Sequence, residues 1–223
     1  MNYLDFGGVF SRMDLLISGA ILTMQISLVA MFLALLVATL VAVMQLSAFR
    51  PVRFVALAYI EVIRNTPFIV QLFVIYFGLP AIGLSLEPLP SAILAMTFYG
   101  GAYTSEIIRA GIQNIDRGQI EAGRSLGMST LDIFRYVIIK PALAAVFPSM
   151  VSQFILLLLS SSVVSAISVP ELTGIGNDIQ GITLRNMEVY LVIAAMYVAL
   201  VAMLKGGLTL LERKIFPFKF LRG

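Results

Sequence analysis

From Leu15 to Phe49 the chain carries no charged side chain at all, and four more apolar stretches follow, each closed by a short polar segment. At about 1.5 Å per residue, a helix over the first stretch exceeds the hydrocarbon core of a bilayer, so it must tilt or project. Arg50 and Arg53 close it. The pattern predicts spans at about 15–46, 54–79, 88–109, 138–168 and 188–211. The second is interrupted by Glu61 and Arg64, and Pro67 marks an expected kink. The third bears Glu106 near one end. The fourth is uncharged from Pro141 to Pro170, and from Val189 to Leu211 the fifth holds only Lys205, whose ammonium can snorkel to an interface.

Composition supports the same class. Apolar residues make up 60% of the 223 and charged ones 12%, with mean hydropathy +0.99, whereas a soluble domain carries roughly a quarter charged residues. The expectation is an all-α integral membrane protein, one transmembrane domain over residues 1–223, in contact with lipid. The net charge of +3 is explained by Lys and Arg collecting on the cytoplasmic side, and no nucleic-acid partner is implied. Basic residues cluster at Arg50 and Arg53, from Arg109 to Lys140, and at Arg213, Lys214, Lys219 and Arg222. The opposite segments hold six acids (Asp5, Asp14, Glu87, Glu171, Asp178, Glu188) against Arg12 and Arg185. The N-terminus is thus expected outside and the C-terminus in the cytoplasm, which requires an odd number of spans. Five fits. The first residues lack the basic region and cleavage site of a signal peptide, so the first helix is expected to stay in the mature protein.

There is no Cys and no His. Thiol nucleophiles, Cys/His metal sites and the common general base are therefore excluded, which weighs against an intramembrane enzyme. An ion-coupled secondary transporter is the rival among carriers, but such folds usually show internal repeats, and none stands out here.

The one substantial hydrophilic loop, 112–132, reads as a short helix and the start of another. Asp116 can cap the first helix and Gly127 suits the left-handed position that ends it. Ser129 and Asp132 form a capping box that opens the next. Arg117, Glu121 and Arg124 are spaced for i,i+4 and i,i+3 pairing. With Ala122 and Gly123 on a nearly bare flank, the short helix suits a groove on a partner protein; an ordinary surface helix is the alternative.

Glu121-Ala122-Gly123, then Gly127, then Val137-Ile138-Ile139 resembles the EAA loop of ABC importer permeases. The resemblance extends through Arg64-Asn65-Thr66-Pro67-Phe68 to Phe73, Ile75 to Pro80, Tyr103 to Ile112, and Glu188-Val189-Tyr190, and it is closest to the polar amino acid branch. It implies a permease subunit translocating an amino acid or derivative across the bacterial cytoplasmic (inner) membrane. It also implies a second permease subunit (a copy or a paralogue), two cytoplasmic ATPase subunits and an extracytoplasmic solute-binding protein. The set Arg117, Glu121, Ala122, Gly123, Arg124 and Gly127 would then couple to the ATPase. No phosphate-loop motif occurs in this chain, so it needs no cofactor of its own and ATP would be bound by the partner ATPase subunits. Three positions depart from the family pattern: Gly123 replaces a usual Ala, Lys140 precedes Pro141 where Pro is expected, and Leu159-Ser160-Ser161-Ser162 replaces a more polar run.

Charged groups within the spans are the remaining candidates, since each costs about 2.5–3.5 kcal/mol on insertion scales unless paired or wet. Glu61 and Arg64 lie three apart on one helix face. They can pair with each other, lie at the cytoplasmic interface, or line a cavity and receive a zwitterion. Glu106 and Arg109 repeat the spacing and are expected to form a structural staple. Gln25, Gln71 and Gln153 are either interhelical hydrogen-bonding groups or cavity lining. The candidate pathway set is Glu61, Arg64, Thr66, Gln71, Ser160 and Ser161.

Overall fold

A computed structural model describes residues 4–217. Lys219 and Arg222 of the expected basic tail lie outside them. The described chain is helical throughout: a single turn at Gly7–Phe10, then α1 (Met13–Gln45), α2 (Arg50–Arg64), α3 (Phe68–Ile82), α4 (Pro88–Gln113), α5 (Arg117–Ser125), α6 (Thr130–Ile167), α7 (Leu172–Thr183) and α8 (Asn186–Ile215).

Three of these, α1, α6 and α8, are long and apolar enough to cross a membrane, and they coincide with the first, fourth and fifth expected spans. The second differs. Instead of a kinked rod, α2 and α3 meet at 111° across Asn65-Thr66-Pro67, so residues 54–79 turn sharply rather than run straight. Pro67 has an extended ψ of 142° and lacks the N–H that would continue α2. The third expected span is α4, 26 residues long or about 39 Å, but not apolar enough to count with the other three.

The reason for that composition is packing. Ala30, Ala34, Ala38 and Ala42 of α1 are all buried at a four-residue interval, which makes one small-residue seam. Opposite them α4 presents Gly100 and Gly101. A Cβ on Gly101 would lie 2.7 Å from Val37 and one on Gly100 would lie 3.0 Å from both Ala34 and Leu157. α4 is thus wedged between α1 and α6, and its small and hydroxylated residues face protein rather than lipid. Ser91, Thr97, Thr104 and Ser105 are buried there.

The segment after α6, read from charge as an outer loop, contains a helix the pattern did not predict. α7 buries Leu172, Gly176 and Ile179, an i, i+4, i+7 stripe. Its N-cap, Glu171, is fully buried. The carboxylate accepts the Gly174 N–H (2.8 Å), the Tyr197 hydroxyl of α8 (2.9 Å) and, more weakly, the Thr23 hydroxyl of α1 (3.3 Å).

Burial pushes the Glu171 carboxyl above its ordinary value, and the bonds from the Thr173 and Gly174 amides, Tyr197 and Thr23 offset only part of the rise. A raised folded-state value means the neutral acid is favoured in the fold. The stability it contributes is full at pH below the unfolded value and is lost as pH rises through the folded one. The melting temperature of the purified protein should therefore fall over that window relative to Glu171→Gln, which has no such titration. Parallel pH profiles for the two proteins would contradict this.

Candidate functional site

The 111° bend creates the main polar site. Breaking the helix at Pro67 frees the last carbonyls of α2, and one side chain from the next turn closes them. The buried Gln71 amide donates to the Ile63 carbonyl (2.8 Å), the Thr66 carbonyl (3.0 Å) and the Thr66 hydroxyl (2.9 Å). Thr66 in turn donates its hydroxyl to the Val62 carbonyl at 2.8 Å. Both residues were candidates for the pathway; in this structure their donors shape the bend.

Glu61 and Arg64 do not pair with each other. The Glu61 carboxylate takes the Asn65 side-chain amide one turn on, at 2.8 Å. Arg64 instead reaches across to α4. Its guanidinium lies over the Tyr103 ring, 5.4 Å from the centroid, and 3.8 Å from the Glu106 carboxylate. The neighbouring helix offers an aromatic face and a carboxylate together, and a same-helix partner three residues away supplies only one of these. Glu106 is held in a fork by Arg109, at 3.0 and 2.9 Å, as the staple expectation had it, and Arg109 also donates to Gln113 at 2.6 Å. Tyr103 continues a ladder through Tyr99 (4.9 Å) to Phe68 (5.0 Å) at the start of α3. The Arg64 side chain remains 45% exposed, so one edge of the cation faces open space.

Ser160 and Ser161 sit on α6, away from this constellation in its bonding. Their hydroxyls donate to the Leu156 carbonyl (2.8 Å) and the Leu158 carbonyl (2.7 Å), the local back-bonding open to serine in a helix. Ser161 is fully buried. Gln153 is buried as well, while Gln25 is exposed. A separate cavity of about 500 Å³ lies between α1, α4, α6 and α8, lined by Leu35, Ile112, Phe134, Phe147, Met150 and Leu208 among others. No charged group lines it, so it does not suit a zwitterion.

The 112–132 loop folds much as its caps predict. α5 spans nine residues and the Asp116 carboxylate accepts the Gly118 N–H at 2.8 Å. Gly127 has φ +74°, and the Met128 N–H closes on the Gly123 carbonyl at 3.1 Å, which is a Schellman ending. Ser129 accepts the Asp132 N–H and opens α6. Two expectations change. Among the described residues no ion pair involves Arg117, Glu121 or Arg124; all three are exposed, with Ala122 beside them. The bare flank expected at Ala122 and Gly123 is half covered: Gly123 is buried, and a Cβ there would lie 3.2 Å from Ile133, so α5 leans closely on the start of α6. Leu126, 82% exposed, and Leu131, 73% exposed, stand beside the unpaired charges. Lys140 and Pro141 follow a stretch of π-helix, Ile133–Ile139, and α6 stays continuous past them.

Residues 30–217 match the family described as "Binding-protein-dependent transport system inner membrane component". The chain belongs to this family. It is therefore a membrane-spanning permease component of a transport system that depends on a binding protein, and not an enzyme. The permease is 32% identical over 207 residues to the probable glutamine ABC transporter permease protein GlnM of Bacillus subtilis, covering 93% of this chain and 96% of that one. It is 33% identical over 213 residues to the glutamine transport system permease protein GlnP of Escherichia coli, covering 95% and 97%. It is 38% identical over 185 residues to the nopaline transport system permease protein NocM of Agrobacterium fabrum, covering 78% and 77%. Among solved structures, a crystal structure of an amino acid ABC transporter with histidines superposes with TM-score 0.87 at 39% identity, covering 95% of this chain and 99% of that one. The MetNI methionine ABC transporter in an inward-facing conformation gives TM-score 0.74 at 25% identity, covering 92% and 98%. An ion-coupled mechanism finds no support in these relatives.

The geometry of α5 generates one prediction. A side chain with a Cβ at Gly127 has free space around it but strains the left-handed position by roughly 1–2 kcal/mol. Gly127→Val should disturb the α5 ending and abolish most transport-coupled ATP hydrolysis, while Glu121→Lys should do so by reversing an exposed charge. Both proteins should insert into membranes at wild-type levels. Wild-type uptake in both variants would reduce α5 to a surface helix.

Proposed function

We propose that this permease is the transmembrane subunit of an ATP-binding cassette importer for an amino acid or close derivative. It crosses the inner membrane five times, with α2 and α3 together as the bent second crossing and α4 as the third. Its N-terminus is outside and its C-terminus cytoplasmic. It works with a second permease subunit, identical or paralogous. Two cytoplasmic ATPase subunits bind the ATP and dock on α5, and an extracytoplasmic binding protein delivers the solute. The relatives named for glutamine and nopaline transport and the amino acid transporter structure support the substrate class.

The observation that carries the substrate assignment is the half-exposed Arg64 guanidinium. A free amino acid brings a carboxylate and an ammonium, both costly to strip of water without opposite charge. Arg64 presents a cation whose aromatic backing is already in place, so little order is lost when an anion arrives. The incoming carboxylate displaces Glu106 from Arg64, and Glu106 stays neutralised by the bidentate Arg109 fork. Glu61, exposed three residues earlier on the same helix, is available to the ammonium, and the Tyr103–Tyr99–Phe68 ladder offers an apolar wall to the remaining carbon skeleton. Thr66 and Gln71 act here by holding the bend that presents Arg64. Ser160 and Ser161 enter as part of the α6 wall, their influence on preference being steric.

Arg64→Gln should lower substrate-stimulated ATP hydrolysis and uptake by about ten- to a hundredfold, matching the roughly 1.5–3 kcal/mol of a charge-assisted hydrogen bond. Assembly should be unaffected, because Glu106 keeps Arg109. Co-purification of the complex and uptake in vesicles measure the two separately. Normal uptake by Arg64→Gln, or loss of assembly rescued by Glu106→Gln, would point to a structural ion pair and overturn the assignment.

A further inference from the structure

The apolar cavity of about 500 Å³ draws its walls from the last turns of α1, α4 and α8 and from the first half of α6. It therefore lies at the α5 end of the bundle. Its back wall is buried, at Ala42, Ile108, Ala142 and Met150, while Val43, Phe134, Leu211 and Ile215 are exposed at its rim. A buried back and an exposed apolar rim make a slot that opens to the side, where a membrane protein meets lipid. Phe216, buried just past α8, packs edge-on against Phe147 at 5.7 Å, which ties the end of α8 to α6 along one wall. The volume falls within the range of about 300–1,000 Å³ seen for small-molecule sites. Water finds no hydrogen-bonding partners on such walls, and an empty slot would forfeit dispersion contacts all round it. An alkyl chain restores them.

The rim has a second property, set by the way α6 begins. Ile133–Ile139 is π-helical. Positions five apart on an α-helix point roughly 140° away from each other, but the wider π turn, bonded i to i+5, returns them to nearly one face. Phe134 and Ile139 are five apart, and both line the slot. The residues that follow each of them, Arg135 and Lys140, are also five apart, and both are exposed. The Arg135 guanidinium lies over the Tyr136 ring, 5.5 Å from its centroid, beside the kind of aromatic that sits at headgroup level. Lys140 is also one of the three departures from the family pattern, and transport gave it no task. On α8, Arg213 and Lys214 fall between the lining residues Leu211 and Ile215. Over residues 133–143 and 208–216 these four cations stand against one acid, Glu212.

We propose that the slot is a site for an anionic phospholipid of the cytoplasmic leaflet. One acyl chain fills the slot, and the headgroup phosphate meets Arg135 and Lys140 of α6 with Arg213 and Lys214 of α8. Basic residues at the mouth of an interhelical crevice on the cytoplasmic side are suited to such headgroups. A zwitterionic lipid offers the same chain, but its headgroup adds a cation that the basic rim repels. The choice of leaflet rests on the proposed orientation of the permease; the slot and its rim do not depend on it.

The test is photolabelling of the assembled transporter in phosphatidylcholine vesicles. These carry either phosphatidylglycerol or phosphatidylcholine with the same diazirine-bearing acyl chain. The phosphatidylglycerol probe should label the peptide holding residues 134–150 about fivefold more than the other, the ratio that one cation's attraction near the surface gives. Arg135→Gln together with Lys140→Gln should bring the two probes close to parity, and both positions are exposed, so folding is not at stake. Ala142→Phe, which fills the slot from its back wall, should lower labelling by both probes; where that variant fails to assemble, the double glutamine variant decides. Labelling that is equal for the two probes, or that ignores these substitutions, would be ordinary lipid contact and would overturn the site. So would an unlabelled wall with Ile215→Cys forming a disulfide to a second copy, since the slot would then be covered by protein. Failure of the permease reading would show differently, as absence of ATP-dependent uptake with the lipid preference intact.

Discussion

A helix broken through 111° in a membrane protein must satisfy the backbone groups the break leaves open, because lipid offers no hydrogen bonds in exchange for those of water. Here that requirement falls on one side chain. Pro67 ends α2, and the buried Gln71 amide closes the Ile63 and Thr66 carbonyls it leaves open. An unmet buried carbonyl costs about 1–3 kcal/mol, so without Gln71 the sharp turn would compete poorly with a straighter helix. With it, α2 is held across α1 and α4 while α3 departs at a steep angle. Arg64 is thereby brought beside Tyr103 and Glu106, residues some forty positions later. The polar site exists because the bend does.

From that site a continuous line of charge and hydrogen bonds runs down α4: Arg64 to Glu106, Glu106 to Arg109, Arg109 to Gln113. Gln113 ends the helix, and α5 begins four residues later at Arg117. Arg64 and α5, the two places where the proposed function puts substrate and ATPase, are thus joined by one rigid element with few residues between them. The close seam of α1 against α4 keeps that element from tilting independently, since Gly100 and Gly101 leave no slack. At the opposite end of the bundle, the Glu171 node joins α1, α7 and α8. The two polar nodes sit on different helix sets, with α1 packed against both.

Local features of this structure were legible in the sequence, and long-range choices were not. The Asp116 cap, the Gly127 ending and the Ser129 opening depend on a few adjacent residues, and all three stand where their spacing placed them. The three apolar spans were equally plain. Periodicity carries no direction, however, so Pro67 announced a break without announcing its angle. Spacing likewise identified Glu61 and Arg64 as neighbours but could not reveal that Tyr103 and Glu106 compete for the arginine. α4 was read as an ordinary span, although its many Gly, Ser and Thr residues signal a helix surrounded by protein. α7 was missed because charge counting marked its segment as loop. The spacing of Leu172, Gly176 and Ile179 was the available signal, and Glu171 just before a helical run was its cap. Spacing permitted pairs among Arg117, Glu121 and Arg124, but all three stand exposed, where water competes with each pair.

On the proposed function, this chain passes an amino acid through the membrane on energy supplied by ATP on the cytoplasmic side. The most direct measurement is uptake of radiolabelled amino acids into proteoliposomes containing the permease with its ATPase and binding protein, with and without ATP at the ATPase face. Accumulation should require both ATP and the binding protein and should persist when ion gradients are collapsed. Accumulation driven by a sodium or proton gradient in the absence of ATP would contradict it.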